Sequence, residues 1–162
     1  MRLRCVLLLA VFGCAAGHSV PPPVRELTVL IKWPAAVSGL PPSKQLDEMA
    51  AALPEEVARV LVAEGLTVVR IEADAHDLVA TASVELTPET HIDPFTTRPI
   101  KNRYHALARL AYVCGDGTAG STQLDLHDAR IELIATDAGG PLARALVRSQ
   151  KVFAYAVRRT PP

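Results

Sequence analysis

The chain is short of cysteine and of net charge, and each shortage removes a class of protein. Three cysteines in 162 residues are too few for a disulfide-built scaffold. Seventeen basic side chains balance seventeen acidic ones, so no excess of positive charge draws nucleic acid or an anionic lipid surface. No uncharged stretch reaches the roughly 20 apolar residues that a spanning helix needs. Motifs with a strong catalytic mechanism are missing too. Gly115, Gly117 and Gly120 lack the strand, helix and lysine that would make a phosphate cradle. Ser121 and Ser149 lack the strand-turn-helix setting of an activated nucleophile.

What is present begins at the N-terminus. Arg2 and Arg4 form a basic segment, Cys5 to Phe12 an uncharged apolar one, and small residues follow from Gly13. That order reads as an export signal. Val11, Phe12, Gly13 and Cys14 resemble a bacterial lipobox, in which Cys14 is acylated and becomes the mature N-terminus. The alternative is ordinary cleavage after Ala16. Residues 1–16 are therefore assigned to the signal, 17–25 to a proline-rich tether stiffened by Pro21, Pro22 and Pro23, and 26–158 to one domain. Without Arg2 and Arg4 the mature chain carries about two more acidic than basic groups. Cys114 then has no partner in the chain if Cys14 is lipidated, and reads as a buried small hydrophobe. A Cys14–Cys114 bridge requires that neither be processed.

Apolar periodicity lays out the domain. Leu27 to Trp33 reads as a strand ended by Pro34, and Pro34 to Pro42 as a loop. Ser43 caps a helix whose stripe runs through Leu46, Met49, Leu53, Val57 and Leu61, with Pro54 kinking it or opening a second helix. Gly65 closes that element, and Leu66 to Ile71 reads as a second strand. Leu78 to Leu86 and Arg103 to Cys114 alternate as strands, joined by a polar loop over Thr87 to Pro99. Residues 124–136 fit either period, and a hairpin strand bent near Asp128 is favoured. Gly139, Gly140 and Pro141 punctuate the chain before a short helix through Leu142 and Leu146. Val152 to Val157 reads as a last strand. The sum is an α+β fold, a mixed sheet of five to six strands with two or three helices on one face.

Two short clusters hold candidate metal-binding or acid–base groups. Asp125, His127 and Asp128 stand within four residues, and a strand would put Asp125 and His127 on one face. His91 and Asp93 lie in the proline-bounded loop, where binding groups concentrate. Neither cluster alone makes a four-ligand zinc set, so no cofactor is assigned. Trp33, His91, Asp93, Phe95, Tyr104 and Tyr112 are candidates for an interaction surface, because the long loop and the scarce aromatics suit contact with a partner.

The lipobox-like Gly13–Cys14, the proline tether, the strand-helix-strand opening and the later hairpin together resemble small bacterial outer-membrane lipoproteins of accessory or assembly type. The resemblance implies a non-enzymatic protein on the periplasmic face of an outer or cytoplasmic membrane. It would be held by its lipid and act through a protein partner in an envelope complex, without nucleic acid. Two other classes stay open. One is a periplasmic or secreted module for a small molecule or lipid; the other is a small hydrolase or metal-dependent enzyme.

Overall fold

The structure, a computed structural model, describes residues 20–159. The signal and Cys14 lie outside the described residues. An 11-residue strand, β1 (Thr28–Ser38), leads into α2 (Lys44–Ala63), following a one-turn helix α1 (Pro22–Arg25). Short β2 (Thr67–Val69) returns parallel to β1, and β3 (Leu78–Pro88) lies parallel on its other side. Two-residue strands β4 (His91–Ile92) and β5 (Pro99–Ile100) pair as a separate small hairpin. β6 (Tyr104–Cys114) and β7 (Ala119–Ala129) complete the main sheet in antiparallel fashion, in the order β2-β1-β3-β6-β7. Two helices end the fold, α3 (Ile131–Val147) and α4 (Gln150–Arg159). This is the α+β architecture with a five-stranded mixed sheet.

Alternation decides which side of the sheet is dry. Leu78, Ala80, Ala82, Val84 and Leu86 of β3 meet Ala106, Ala108, Leu110, Tyr112 and Cys114 of β6 on one face, all buried. Leu53, Val57 and Leu61 of α2 and Ile134, Leu142 and Leu146 of α3 seal that face. Each fully buried leucine contributes about 1.5–3 kcal/mol. The opposite face carries Thr81 and Glu85 of β3, Arg109 and Val113 of β6, and Gln123 and Asp125 of β7, all exposed. One side of the sheet is thus a core and the other meets solvent.

Six segments depart from the sequence expectation. Pro34–Ser38 extends β1 beyond a register shift between Lys32 and Ala36, where a loop was expected. Ile131 begins a helix instead of continuing a bent strand, because Ile131, Ile134, Ala135 and Ala138 bury one helical face. Gly139, Gly140 and Pro141 lie inside α3 and do not punctuate it. A β-carbon at Gly139 would stand 2.6 Å from Glu56 Cγ and 2.8 Å from its Cβ, so the glycine lets α3 press against α2. Residues 152–157 are helical, with Val152, Tyr155 and Ala156 buried at spacings of three and one. The proline segment assigned to a tether is, from residue 20, part of the domain: Val20 and Val24 are buried in the core. Pro54 sits within an unbroken α2, in the second half of that helix's apolar stripe.

The start of β3 is pinned by a buried acid. Asp77, 8% exposed, accepts hydrogen bonds from the Thr28 amide at 2.6 Å and the Arg159 guanidinium at 2.9 Å. Its backbone pairs with Thr28 on one side and Gly115 on the other. One residue therefore joins β1, the β6–β7 turn and α4.

Candidate metal centre

The far end of the same strands gathers three of the five histidines. β6 and β7 pair Ala106 with Leu126 but Tyr104 with Ala129, so His127 and Asp128 together face the single residue His105. That is a β-bulge, and Asp128 absorbs it with φ of 52°. The bulge leaves His105 and His127 stacked on the open face, ring centroids 4.7 Å apart and 13° from parallel. Asp125, two residues back along β7, lies on the same face. Its Oδ1 pairs closely with His105 Nε2 and stands 3.8 Å from His127 Nε2. One ligand atom from each of His105, Asp125 and His127 falls within 4.8 Å of the others.

Glu89, the residue after β3, orders the surroundings. Its Oε1 accepts from His127 Nδ1 at 3.1 Å, and its Oε2 from His91 Nε2 and the Asp128 amide, both at 2.9 Å. An ionised carboxylate only accepts, so the two ring nitrogens facing it carry the protons. The His91 bond, the Asp128 amide and the His127 bond, in that order, hold the Glu89 carboxyl down at about 2. With Nδ1 of His127 committed to Glu89, its Nε2 is the nitrogen directed at Asp125. Carboxylate, histidine and ligand position then form the outer-shell arrangement usual for a metal-binding imidazole. Arg103 Nε reaches Asp128 Oδ1 at 3.3 Å and ties β6 to the bulge.

Of the residues singled out in the sequence, Asp125 and His127 come together beside His105, while His91 and Asp128 join through Glu89. Asp93 stands apart. Its Oδ1 caps the hairpin tip by accepting the amides of Phe95 and Thr96 at 2.8 and 3.2 Å, which lowers its pKa. Phe95 is 93% exposed. Trp33 is partly exposed, with the Arg70 guanidinium carbon 5.4 Å from its ring centroid. Tyr104 is half-buried at a cavity of about 210 Å³ that Lys101, Arg103 and Arg130 also line. Tyr112, a candidate for a contact surface, is instead buried against the core with its hydroxyl on Ser149. Two members of the site, His105 and Glu89, were not singled out. His105 passed as one polar position in an alternating strand, and Glu89 as a loop acid. Cys114 is buried, and burial raises its thiol pKa.

No family model matches the chain, and no curated protein matches it. Among solved structures it is similar to a point variant of PelC from Paraburkholderia phytofirmans, described as a dodecamer. The two are 14% identical, with 78% of this chain and 89% of that one covered at a TM-score of 0.50. It is also similar to a homolog of a neuraminyllactose-binding hemagglutinin from Helicobacter pylori. That pair is 14% identical and covers 86% and 91% of the two chains, with a TM-score of 0.47. At 14% identity the likeness to the PelC variant is one of fold.

Proposed function

We propose that this chain is an exported module that binds a borderline divalent metal ion, with zinc the leading candidate, through His105, Asp125 and His127. The convergence of two imidazoles and one carboxylate within 4.8 Å carries the reading. Metal bonds of about 2.0–2.1 Å in a tetrahedral shell hold neighbouring donor atoms a little over 3 Å apart. The 3.8 Å between His127 Nε2 and Asp125 is close to that spacing, and the tight His105–Asp125 pair opens slightly to admit the ion. Two nitrogen donors favour zinc over magnesium or calcium, which prefer oxygen. Three protein donors leave a fourth position for water, as in open zinc sites.

The test is calorimetric titration of tag-free protein with zinc, alongside the visible absorption of cobalt in its place. Saturable one-to-one binding is expected, with tetrahedral cobalt bands, and His105→Ala and His127→Ala each abolish both signals. Equal affinity in wild type and the two variants sinks the reading.

A second reading makes the chain an envelope accessory lipoprotein that acts through protein contacts. The nearly bare Phe95 on an ordered hairpin favours it, since large exposed aromatics mark contact sites. The fold shared with a protein described as a dodecamer agrees with it. Mass analysis of the mature protein tests the anchor: acyl chains on Cys14 support it, and an unmodified chain beginning at Gly17 removes it.

A further inference from the structure

The cavity of about 210 Å³ beside Tyr104 is lined mostly by cations and hydrogen-bond donors. Three parts of the fold meet there. Gln45 comes from the first turn of α2, Lys101, Arg103 and Tyr104 from the chain entering β6, and Arg130 and Glu132 from the start of α3. Tyr104 and His105 are neighbours in β6 and point to opposite faces. The cavity therefore lies on the helix side of the sheet, and the metal centre on the open side.

Three cations line this cavity against the single carboxylate of Glu132. Two of the three are partly engaged. Arg130 pairs with Glu132 where both side chains are about half-exposed, and an exposed pair of that kind is held weakly enough to yield to a competing anion. Arg103 reaches Asp128 through Nε, which leaves its terminal guanidinium nitrogens for another acceptor. Lys101, the Gln45 side-chain amide and the Tyr104 hydroxyl have no partner among the described residues. Donors thus approach one recess from three sides. A group with several acceptor oxygens satisfies them better than a planar carboxylate with two.

We propose that the cavity binds the phosphoryl group of a monoester, carried by a soluble molecule or by a lipid headgroup. Lys101 and Arg130 supply most of the charge, and Arg103 and Tyr104 orient the oxygens. A phosphate monoester brings about −1.5 to −2 charge and three strong acceptor oxygens, which suits three cations and a hydroxyl donor. Arginine forks match its oxygens in pairs, while lysine acts as a point charge. The volume is below the roughly 300–1,000 Å³ of a drug-sized ligand's pocket, so the cavity takes the phosphoryl head and leaves the rest of the carrier outside. The site stands apart from the metal centre and does not depend on it.

Calorimetric titration with inorganic phosphate tests the site on full-length protein stripped of metal, because phosphate also ligates zinc. Physiological salt screens diffuse attraction. Saturable one-to-one binding is expected, about 10-fold weaker in Lys101→Ala and in Arg130→Ala and about 3-fold weaker in Tyr104→Phe. Lys101 and Arg130 are exposed, and circular dichroism checks that each variant folds. Arg109→Ala removes the same charge from the open face and should bind like wild type. Absence of saturable binding overturns the site, as does wild-type affinity in both Lys101→Ala and Arg130→Ala. An equal loss in Arg109→Ala reduces the effect to diffuse charge and also overturns it. Acetate that binds as tightly as phosphate removes the phosphoryl assignment. Glycerol 3-phosphate and vesicles containing phosphatidic acid then separate the carriers. Vesicle binding that Lys101→Ala abolishes and free phosphate competes away supports the site with a lipid carrier. Binding of glycerol 3-phosphate without vesicle binding supports it with a soluble one. Binding of neither overturns the monoester.

Discussion

Asp77 and Glu89 stand immediately before and after β3, and each is a carboxylate that gathers three parts of the fold. Their partners differ in kind. Asp77 is buried and holds a backbone amide of β1 and the Arg159 guanidinium of α4. Both partners keep their protons across the ordinary pH range. Glu89 holds two imidazoles and an amide at the solvent-facing end, and imidazoles exchange protons and bind metals. One end of the strand is therefore fixed architecture, and the other is chemistry held in place by similar means. Hydrogen-bond number alone therefore does not separate the two ends; the exchangeability of the partners' protons does.

Removing Asp77 should do the greatest damage. Asp77→Ala strips a charge-assisted bond from a buried strand amide and leaves Arg159 without its acceptor, a loss of about 2–3 kcal/mol by urea unfolding. A stability close to wild type would erase the architectural role given to this end. Arg159→Ala should cost less, about 1 kcal/mol, because its half-exposed guanidinium is replaced by solvent and Asp77 keeps Thr28.

At the other end the effect moves from stability to ligand. Glu89→Gln should lower the urea midpoint, since a carboxyl lowered in the folded state stabilises it at neutral pH, but by less than Asp77→Ala does. It should weaken zinc about 10–100-fold, the usual consequence of losing an outer-shell carboxylate. If the substitution unfolds the protein and spares zinc affinity, the comparison is reversed.

Acid titration supplies the smallest and finest contrast. Asp116, in the β6–β7 turn, is held at about 2 by the Arg158 pair first, and by the Thr118 amide and hydroxyl. A carboxyl lowered in the folded state stabilises above its unfolded value near 3.8 and loses that contribution as pH falls towards 2. The stability gap between wild type and Asp116→Asn should therefore be widest above about pH 4 and close on approach to pH 2. A gap that grows on acidification contradicts the sign.

Much of the fold was legible because its signals are local. The alternation through Leu78 to Leu86 and Tyr104 to Cys114 is a property of neighbouring residues, as is the α2 stripe behind Ser43, whose Oγ accepts the Leu46 amide. Short apolar runs were not legible. Val152 to Val157 satisfies a strand or a helix equally well until Val152, Tyr155 and Ala156 have a surface to be buried against. Glycine and proline signals also misled at 139–141, where close contact with Glu56 of α2 outweighs the local preference to end a helix.

The sequence by itself determined the mixed fold class, most of the strands and the nearness of Asp125 to His127, since a strand places alternate residues on one face. Only the tertiary structure decided that His105 and Glu89 belong with them. Glu89 and His127 are 38 residues apart, brought together by strand order and by a one-residue bulge. A bulge shifts every later side chain relative to the neighbouring strand, and no local periodicity records it.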